Sequence, residues 1–144
     1  MRVEGSVTIN RPVKDVWDFV LEPSNGPKYE KGLLEQRYTS DGRAGVGTEL
    51  LRVSKIMGQT SRNTYKVTEF EEHKKVTYAP LTGPGPVDVG FTFESAGQGT
   101  KFNYWLQSHP KGLEKVIELL FGGMIRGGMT SSFARLKSLM ESGG

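Results

Sequence analysis

The amino-terminal residues alternate between apolar and polar side chains. Val3, Val7 and Ile9 lie on one side of this pattern, and charged or hydroxyl-bearing side chains lie on the other. Side chains with a period of two share one face of a strand, so one face is buried and the other meets solvent. The pattern therefore predicts a first strand over residues 2–10.

After this strand the apolar period changes from two to that of a helix. The positions that set the new period are Val13, Val16, Trp17 and Val20. Asn10 is a favourable helix cap, and Pro12 fits a first turn because its missing N–H has no helical partner there. We predict a short helix that ends before Pro23, and a second short helical or turn segment over residues 24–31.

Between residues 33 and 108 the chain consists of short alternating segments separated by turn sequences. Asp41-Gly42 and Met57-Gly58 are two of these turns, because glycine adopts the backbone angles that tight turns require. Segments this short and closely spaced are typical of an antiparallel sheet. The predicted strands cover residues 33–40, 47–56, 59–71, 75–80, 87–95 and 100–108.

A helical period returns after the turn at Pro110-Lys111-Gly112. Its apolar positions are Leu113, Val116, Ile117, Leu120, Phe121, Met124, Phe133, Leu136 and Met140. Apolar residues at this spacing form one face of a long helix. A strand, one or two short helices, six strands and a long helix predict a single α+β domain over residues 1–144. In such a domain the long helix covers one face of a curved antiparallel sheet.

Composition and charge narrow the classes of function. The 144-residue chain has no cysteine, which excludes disulfides and thiolate metal sites. It has no apolar segment of the kind that predicts a signal peptide or a membrane span. Its formal charge is +3, but the basic residues are dispersed, so nucleic-acid binding is not predicted. We expect a cytoplasmic protein without integral membrane association.

Several short sequences occur in the order found in one superfamily. They are Ile9-Asn10-Arg11-Pro12 with Val16-Trp17, Gly45-Val46-Gly47-Thr48, Tyr65-Lys66-Val67-Thr68-Glu69-Phe70 with Val76-Thr77-Tyr78, Gly99-Thr100-Lys101-Phe102, and Leu136-Lys137 to Glu141. Together they resemble the START-like superfamily, also called SRPBCC, and within it the polyketide cyclase and dehydrase-like group. The resemblance covers nearly the whole chain. It implies a helix-grip fold, in which the sheet curves around the long helix and a ligand cavity lies between them.

The side chains that alternation turns towards this cavity are rich in phenylalanine and tyrosine. The predicted ligand-binding residues are Tyr65, Val67, Tyr78, Phe91, Phe93, Phe102, Tyr104 and Leu106 on the strands, and Leu120, Phe121, Met124 and Gly128 on the long helix. Such a lining suits an aromatic or polycyclic molecule, which is bound through its area and oriented by one or two hydrogen bonds. The alternative interpretation is that these residues form the core of a small domain.

Four glycines interrupt the long helix, at Gly122, Gly123, Gly127 and Gly128. Each costs about 0.8–1 kcal/mol relative to alanine in a helix interior, so another property of the molecule must compensate. One hypothesis is that the missing side chains leave room for a ligand, to whose shape the flexible Met124 adapts. The alternatives are a kink, close packing on the sheet or on another subunit, or a break into two helices.

The sequence contains no set of residues that converges on a catalytic or metal site. His73 lies in a charged turn and His109 beside a proline, so we interpret both as surface residues. No carboxylates surround them at the spacing of a metal site. Four charged strand residues would be functional if they faced inward, but their alternation with core residues favours solvent; they are Glu49, Arg52, Arg62 and Asp88. No metal and no cofactor are predicted.

The preferred function is binding of a small hydrophobic or aromatic molecule, by a carrier or a sensor. The first alternative is a cyclase, aromatase or dehydratase in which Tyr78 or Tyr104 orients an enol or donates a proton; it requires a cavity residue with a perturbed pKa. The second alternative is a protein-interaction module that uses the basic residues Lys55, Lys66 and Lys101. Both a monomer and a homodimer agree with the sequence.

Overall fold

The computed structural model describes residues 1–142, which contain one seven-stranded sheet and three α-helices. The strands are β1 (Arg2–Ile9), β2 (Leu33–Tyr38), β3 (Glu49–Ile56), β4 (Gln59–Glu71), β5 (Lys75–Thr82), β6 (Val87–Ala96) and β7 (Gly99–Ser108). The helices are α1 (Val13–Leu21), α2 (Gly26–Tyr29) and α3 (Leu113–Glu141), and a short 3-10 helix, Pro23–Asn25, precedes α2.

The strands and helices form the predicted α+β helix-grip fold. All paired strands are antiparallel and follow the order β1-β7-β6-β5-β4-β3-β2, so β1 and β2 are the two edges of the sheet. α1 and α2 carry the chain from one edge to the other. α1 packs against β6 and β7, and α2 packs against β2 and α3. Every predicted strand exists, and its predicted ends lie within two residues of the observed ends.

The predicted capping role of Asn10 is wrong. α1 begins at Val13 with Pro12 in the cap position, and no side chain caps it. The Pro12 carbonyl accepts a hydrogen bond from the Val16 N–H at 3.1 Å. The Asn10 N–H instead donates to the Glu141 carboxylate at 2.7 Å, which ties the start of α1 to the end of α3.

Irregular strand pairing bends the sheet. The register shifts between Leu33 and Glu35 in the pairing of β2 with β3. It shifts twice more in the pairing of β4 with β5, near Tyr65 and between Val67 and Glu69. An extra residue in one strand bends that strand and increases its twist. The shifts therefore help one face of the sheet to become concave.

An aromatic cluster joins the carboxyl half of α3 to this concave face. The ring of Phe133 stacks on Tyr104 with centroids 4.3 Å apart, and it lies 5.1 Å from the ring of Phe102. Phe102 is fully buried, and Leu136 and Met140 continue the buried face of the helix. Burial of large apolar side chains in this way stabilises the position of the last two to three turns of α3.

A second cluster anchors α1. The Trp17 indole lies edge-on to Phe93 and Phe70, with centroid separations of 5.0 and 5.4 Å. His73 also packs edge-on against Trp17, at 6.0 Å, from a turn in which its φ is +66°. His73 is therefore half-buried against the core rather than a free surface residue.

α3 is one continuous helix through its four glycines, which excludes a break into two helices. A Cβ atom on Gly122 would lie 2.9 Å from the Met1 sulfur. A Cβ atom on Gly123, Gly127 or Gly128 would meet no described atom within 4 Å. Close packing therefore accounts for Gly122 alone, and the other three glycines face open space.

Replacing Gly123 by alanine is expected to raise the free energy of unfolding by about 0.5–1 kcal/mol. The backbone there is helical and the added methyl group meets open space, so the main effect is to restrict the unfolded chain. Urea titration of the two proteins measures the difference. Gly122→Ala is the matched control, because its methyl group would displace the end of the flexible Met1 side chain, which is expected to make the gain smaller. Equal stabilisation by both variants would contradict this packing.

Candidate functional site

A cavity of about 1060 Å³ lies between the concave face of the sheet and the middle of α3. Its wall is mostly apolar, with contributions from all three helices and from six of the strands. The large apolar residues of the wall include Val20, Leu33, Leu50, Val87, Val89, Phe91, Leu106, Met124, Ile125 and Met129. The volume is at the upper end of the usual range for small-molecule sites, so a polycyclic or lipid-sized molecule fits.

The cavity exists because only the carboxyl half of α3 packs firmly on the sheet. Towards the amino end of the helix the large apolar side chains are exposed. Gly127 and Gly128 border the cavity and place no side chain in it. A hydrogen bond from the Ser108 hydroxyl to the Glu118 carboxylate, 2.5 Å long, ties the amino half of α3 to the end of β7.

Arg52 brings a positive charge to the cavity wall. Its Nη2 donates a hydrogen bond to the carboxylate of Glu30, and its Nη1 donates to Oε1 of Gln36 at 2.6 Å. Gln36 is itself oriented, because its Nε2 donates to the Pro23 carbonyl at 2.9 Å. The side chains of Arg52 and Glu30 are 29% and 22% exposed, so the pair is largely shielded from solvent but open to the cavity.

Strand pairing explains why Arg52 faces inward. In the pairing of β3 with β4, Leu50 lies opposite Tyr65, so both side chains share one face of the sheet. Side chains alternate along a strand, which places Arg52 and Ser54 on the same face as Leu50. All four of these residues border the cavity.

Two tyrosine hydroxyls open into the cavity. Tyr65 and Tyr78 are buried residues of the cavity wall, and neither hydroxyl has a hydrogen-bond partner within residues 1–142. In that part of the chain, every side-chain nitrogen or oxygen that is fully enclosed has a partner. The two hydroxyls are therefore not fully enclosed and reach the cavity. Tyr38 differs, because its hydroxyl donates to the Leu21 carbonyl at 2.5 Å.

Burial keeps the cavity phenols protonated. It raises the pKa of Tyr38 to about 12, and it also raises the pKa values of Tyr29, Tyr65 and Tyr78 above the usual tyrosine value. Burial by itself lowers the pKa of Arg52, but the charge and hydrogen bond of Glu30, together with smaller effects of Tyr65 and Tyr29, raise it by more in total, so the guanidinium stays charged. At neutral pH the site therefore presents neutral hydroxyl donors beside a paired cation.

The raised tyrosine pKa values predict a loss of stability at alkaline pH. Because the folded protein holds these protons more tightly than the unfolded chain, their stabilising effect is complete below about pH 10 and is lost as the pH rises through the folded-state pKa values. Urea titration between about pH 8 and pH 11 is expected to show a falling free energy of unfolding. Tyr78→Phe, which removes a hydroxyl that has no described partner, is expected to make the fall less steep. An unchanged slope would contradict this assignment.

The structure brings half of the predicted ligand-binding residues together around the cavity. These are Tyr65, Tyr78, Phe91, Leu106, Met124 and Gly128. Four others are buried in the adjoining core and do not border the cavity: Val67, Phe93, Phe102 and Tyr104. Tyr104 lies over Gly5, where a Cβ atom would clash with its hydroxyl oxygen. Leu120 and Phe121 are exposed and lie outside the cavity wall.

The polar residues of the cavity wall differ from the sequence-based expectation. Arg52 was expected to face solvent but borders the cavity, and no pattern in the sequence indicates the inward positions of Glu30 and Gln36. The hairpin at Met57-Gly58 could have revealed Arg52, since counting back from that turn pairs Leu50 with Tyr65, which was expected to face inward. Of the other charged candidates, Glu49 and Arg62 are exposed. Asp88 contacts His109 at 2.9 Å, away from the cavity wall.

Within residues 1–142, no group of three or more histidine, aspartate or glutamate side chains is placed to hold a metal ion. None of the helices in the same residues combines the length and the apolar character needed to cross a bilayer.

The sheet curves around the long helix and a cavity lies between the two. This arrangement defines a ligand-binding fold of the START-like type. The family described as polyketide cyclase / dehydrase and lipid transport matches residues 1–141, and the chain belongs to this family. No curated protein matches the sequence significantly.

Solved structures of bacterial and plant proteins share this fold. TTHA0849 from Thermus thermophilus is similar with a TM-score of 0.82 and 16% identity, covering 99% of this chain and 98% of that one. A START superfamily protein from Mycobacterium smegmatis gives 0.71 and 15%, covering 98% and 95%. The ginseng major latex-like protein 151 from Panax ginseng gives 0.71 and 9%, covering 97% of each chain. At such identities the likeness concerns the fold alone.

Proposed function

We propose that the protein binds a small apolar molecule that carries an oxygen atom at one end. The observation that supports this most directly is the Arg52–Glu30 pair in a mostly apolar cavity wall, near the hydroxyls of Tyr65 and Tyr78, which have no hydrogen-bond partner within residues 1–142. The apolar body of the ligand lies against side chains such as Phe91. Its oxygen accepts hydrogen bonds from the guanidinium or from the phenols.

Beside Arg52 the local charge favours a neutral oxygen over a carboxylate, and the other cations of the wall are exposed to solvent: Lys31, Lys55 and Arg135. Glu30 already neutralises Arg52, so an incoming carboxylate meets a negative charge beside the positive one. The phenols stay protonated at neutral pH and act as donors. A ketone, an enol or a hydroxyl group satisfies these donors without bringing an unpaired charge into the cavity.

Thermal unfolding with a panel of compounds tests the proposal. The panel contains fatty acids, isoprenoids, flavonoids and aromatic polyketides, and a ligand present at about a hundred times its dissociation constant adds roughly 2.7 kcal/mol to the free energy of unfolding. We expect stabilisation by compounds with a neutral oxygen on an apolar frame. If no compound of any class stabilises the protein, the proposal of a binding cavity fails.

Catalysis on the bound molecule is a second candidate function. It is favoured by one observation, the permanent charge of Arg52 in a shielded wall, since a guanidinium there stabilises the negative oxygen of an enolate. The raised pKa of Tyr78 makes it a weak acid, so its hydroxyl orients an oxygen better than it transfers a proton. Incubating the protein with a linear poly-β-ketone thioester and analysing the products tests this function. A product distribution equal to that of the spontaneous reaction excludes it.

A further inference from the structure

The mouth of the cavity is surrounded by exposed apolar side chains. Leu34 on β2, Ile56 and Met57 at the β3–β4 turn, and Met124 and Ile125 on α3 all border the cavity, and all are exposed. We call these five residues the apolar rim. They come from three separate parts of the chain, so exposed apolar side chains border the cavity on more than one element. A patch of this kind marks a surface that binds a membrane, a ligand or another protein.

Met57 is an unexpected residue for its position. It has a φ of +51° and is followed by Gly58 with a φ of +82°, so both central residues of the hairpin turn are left-handed. Such turns favour asparagine, aspartate or glycine, and a long side chain is strained there. The Met57 side chain is nevertheless 84% exposed and makes no contribution to the core. Neither turn geometry nor core packing explains a methionine at the tip.

The same face of α3 continues the apolar surface beyond the rim. Ile117, Leu120 and Phe121 precede Met124 at helical spacing and are exposed. These positions share one side of the helix with Gly128, which borders the cavity. The exposed surface therefore leads directly to the cavity mouth.

The charges at the mouth are predominantly positive. Lys31, Lys55 and Arg135 border the cavity together with Arg52, whereas Glu30 is the one carboxylate among the described residues of the wall. Glu30 is paired with Arg52, so the lysines determine the net charge around the mouth of the cavity. Lysines beside exposed apolar side chains suit a surface that is negatively charged outside and apolar beneath.

We propose that the apolar rim docks on the surface of an anionic lipid bilayer, with Met57 and Met124 inserted between the headgroups and the lysines against them. In this position the cavity opens towards the apolar phase, and an apolar ligand passes between bilayer and cavity without crossing water. A second copy of the chain fits less well, because a symmetric contact would place the lysines of the two copies together and would cover both cavity mouths. The passage of a ligand between bilayer and cavity rests on the proposed function, whereas docking on the bilayer is tested without any ligand.

Sedimentation with lipid vesicles tests the inference. The full chain is mixed with vesicles of phosphatidylcholine alone or of equimolar phosphatidylcholine and phosphatidylglycerol, and the bound fraction is measured. We expect tighter binding to the anionic vesicles. Lys31→Gln with Lys55→Gln is expected to weaken that binding by about fivefold for each lysine. Met57→Asn, which suits the turn better, is expected to weaken it about tenfold without lowering the thermal unfolding temperature.

Val46→Asn is the matched control. Val46 is also an exposed apolar loop residue, at 69%, but it lies in the loop before β3, at the end of that strand opposite to Met57. It is expected to leave vesicle binding unchanged.

Two results would overturn the inference. One is that anionic vesicles bind the Met57→Asn protein as tightly as the original protein. The other is that sedimentation velocity shows a lipid-free dimer that Met57→Asn dissociates. Ligand stabilisation in solution is measured without vesicles, so either proposal fails independently of the other.

Discussion

Replacing Gly128 by phenylalanine is expected to weaken the binding of Nile red, an uncharged apolar fluorescent probe, by about tenfold. Gly128 borders the cavity, and a Cβ atom there meets no described atom within 4 Å. The ring is therefore accommodated by the empty space that a ligand would use, and not by displacement of the core. The helix itself gains stability, since phenylalanine is a better helix former than glycine.

Gly123→Phe separates the loss of cavity space from the change in the helix. Gly123 lies on the same helix and also faces open space, but it does not border the cavity. Its phenylalanine variant is expected to bind the probe as the original protein does. Fluorescence titration of the three proteins gives the dissociation constants. Equal affinities for all three would show that the probe binds elsewhere and that the space beside Gly128 is not the binding site.

Replacing Glu30 by leucine is expected to lower the free energy of unfolding by about 2 kcal/mol. The substitution leaves the Arg52 guanidinium in a shielded wall without its carboxylate, and Gln36 supplies only a neutral acceptor. A charge that has lost its partner is destabilising, because water does not fully replace the lost interaction. Urea titration at neutral pH measures the change.

The double variant Glu30→Leu with Arg52→Met is the control for this prediction. It removes both charges and leaves side chains of similar size, so it is expected to recover most of the stability that Glu30→Leu loses. A double variant no more stable than Glu30→Leu would mean that the loss comes from packing around Glu30. In that case the charge pair would not be the feature that determines the stability of the wall.

The architecture could be predicted from the sequence because the signals are local and repeated. The β4 segment, Gln59–Glu71, was predicted with both ends correct, since a glycine turn precedes it and a charged turn follows it. Asn10 shows the limit of such reasoning. Its side chain suits a helix cap but makes none, and its backbone N–H donates to the Glu141 carboxylate, 131 positions away, a contact that has no local signal.

The polar part of the site depends on contacts that single-strand patterns do not contain. Leu50 and Leu51 are adjacent and both buried, so alternation within β3 alone does not decide which face Arg52 joins. Pairing with β4 decides it. Glu30 lies in the loop after α2 and reaches the wall only because α2 packs against β2 and α3, which no periodicity predicts.

The sequence predicts one apolar face along the whole of α3, but in the structure the two halves of the helix differ in burial. The apolar period is similar along the helix, and it gives no sign that Leu136 is buried while Leu120 is exposed. The difference arises in three dimensions, where the aromatic cluster around Phe133 anchors one half and the cavity separates the other from the sheet.

Binding of two tricyclic compounds that differ in one oxygen tests the central claim most directly. Anthrone has a ketone that dihydroanthracene lacks, and titration calorimetry compares their affinities for the original protein and for the double variant Glu30→Leu with Arg52→Met. We expect the original protein to bind anthrone at least about tenfold more tightly, since hydrogen bonds to charged groups are the stronger ones. The preference is expected to shrink in the double variant. Equal affinity of the original protein for both compounds would contradict recognition of an oxygen at Arg52.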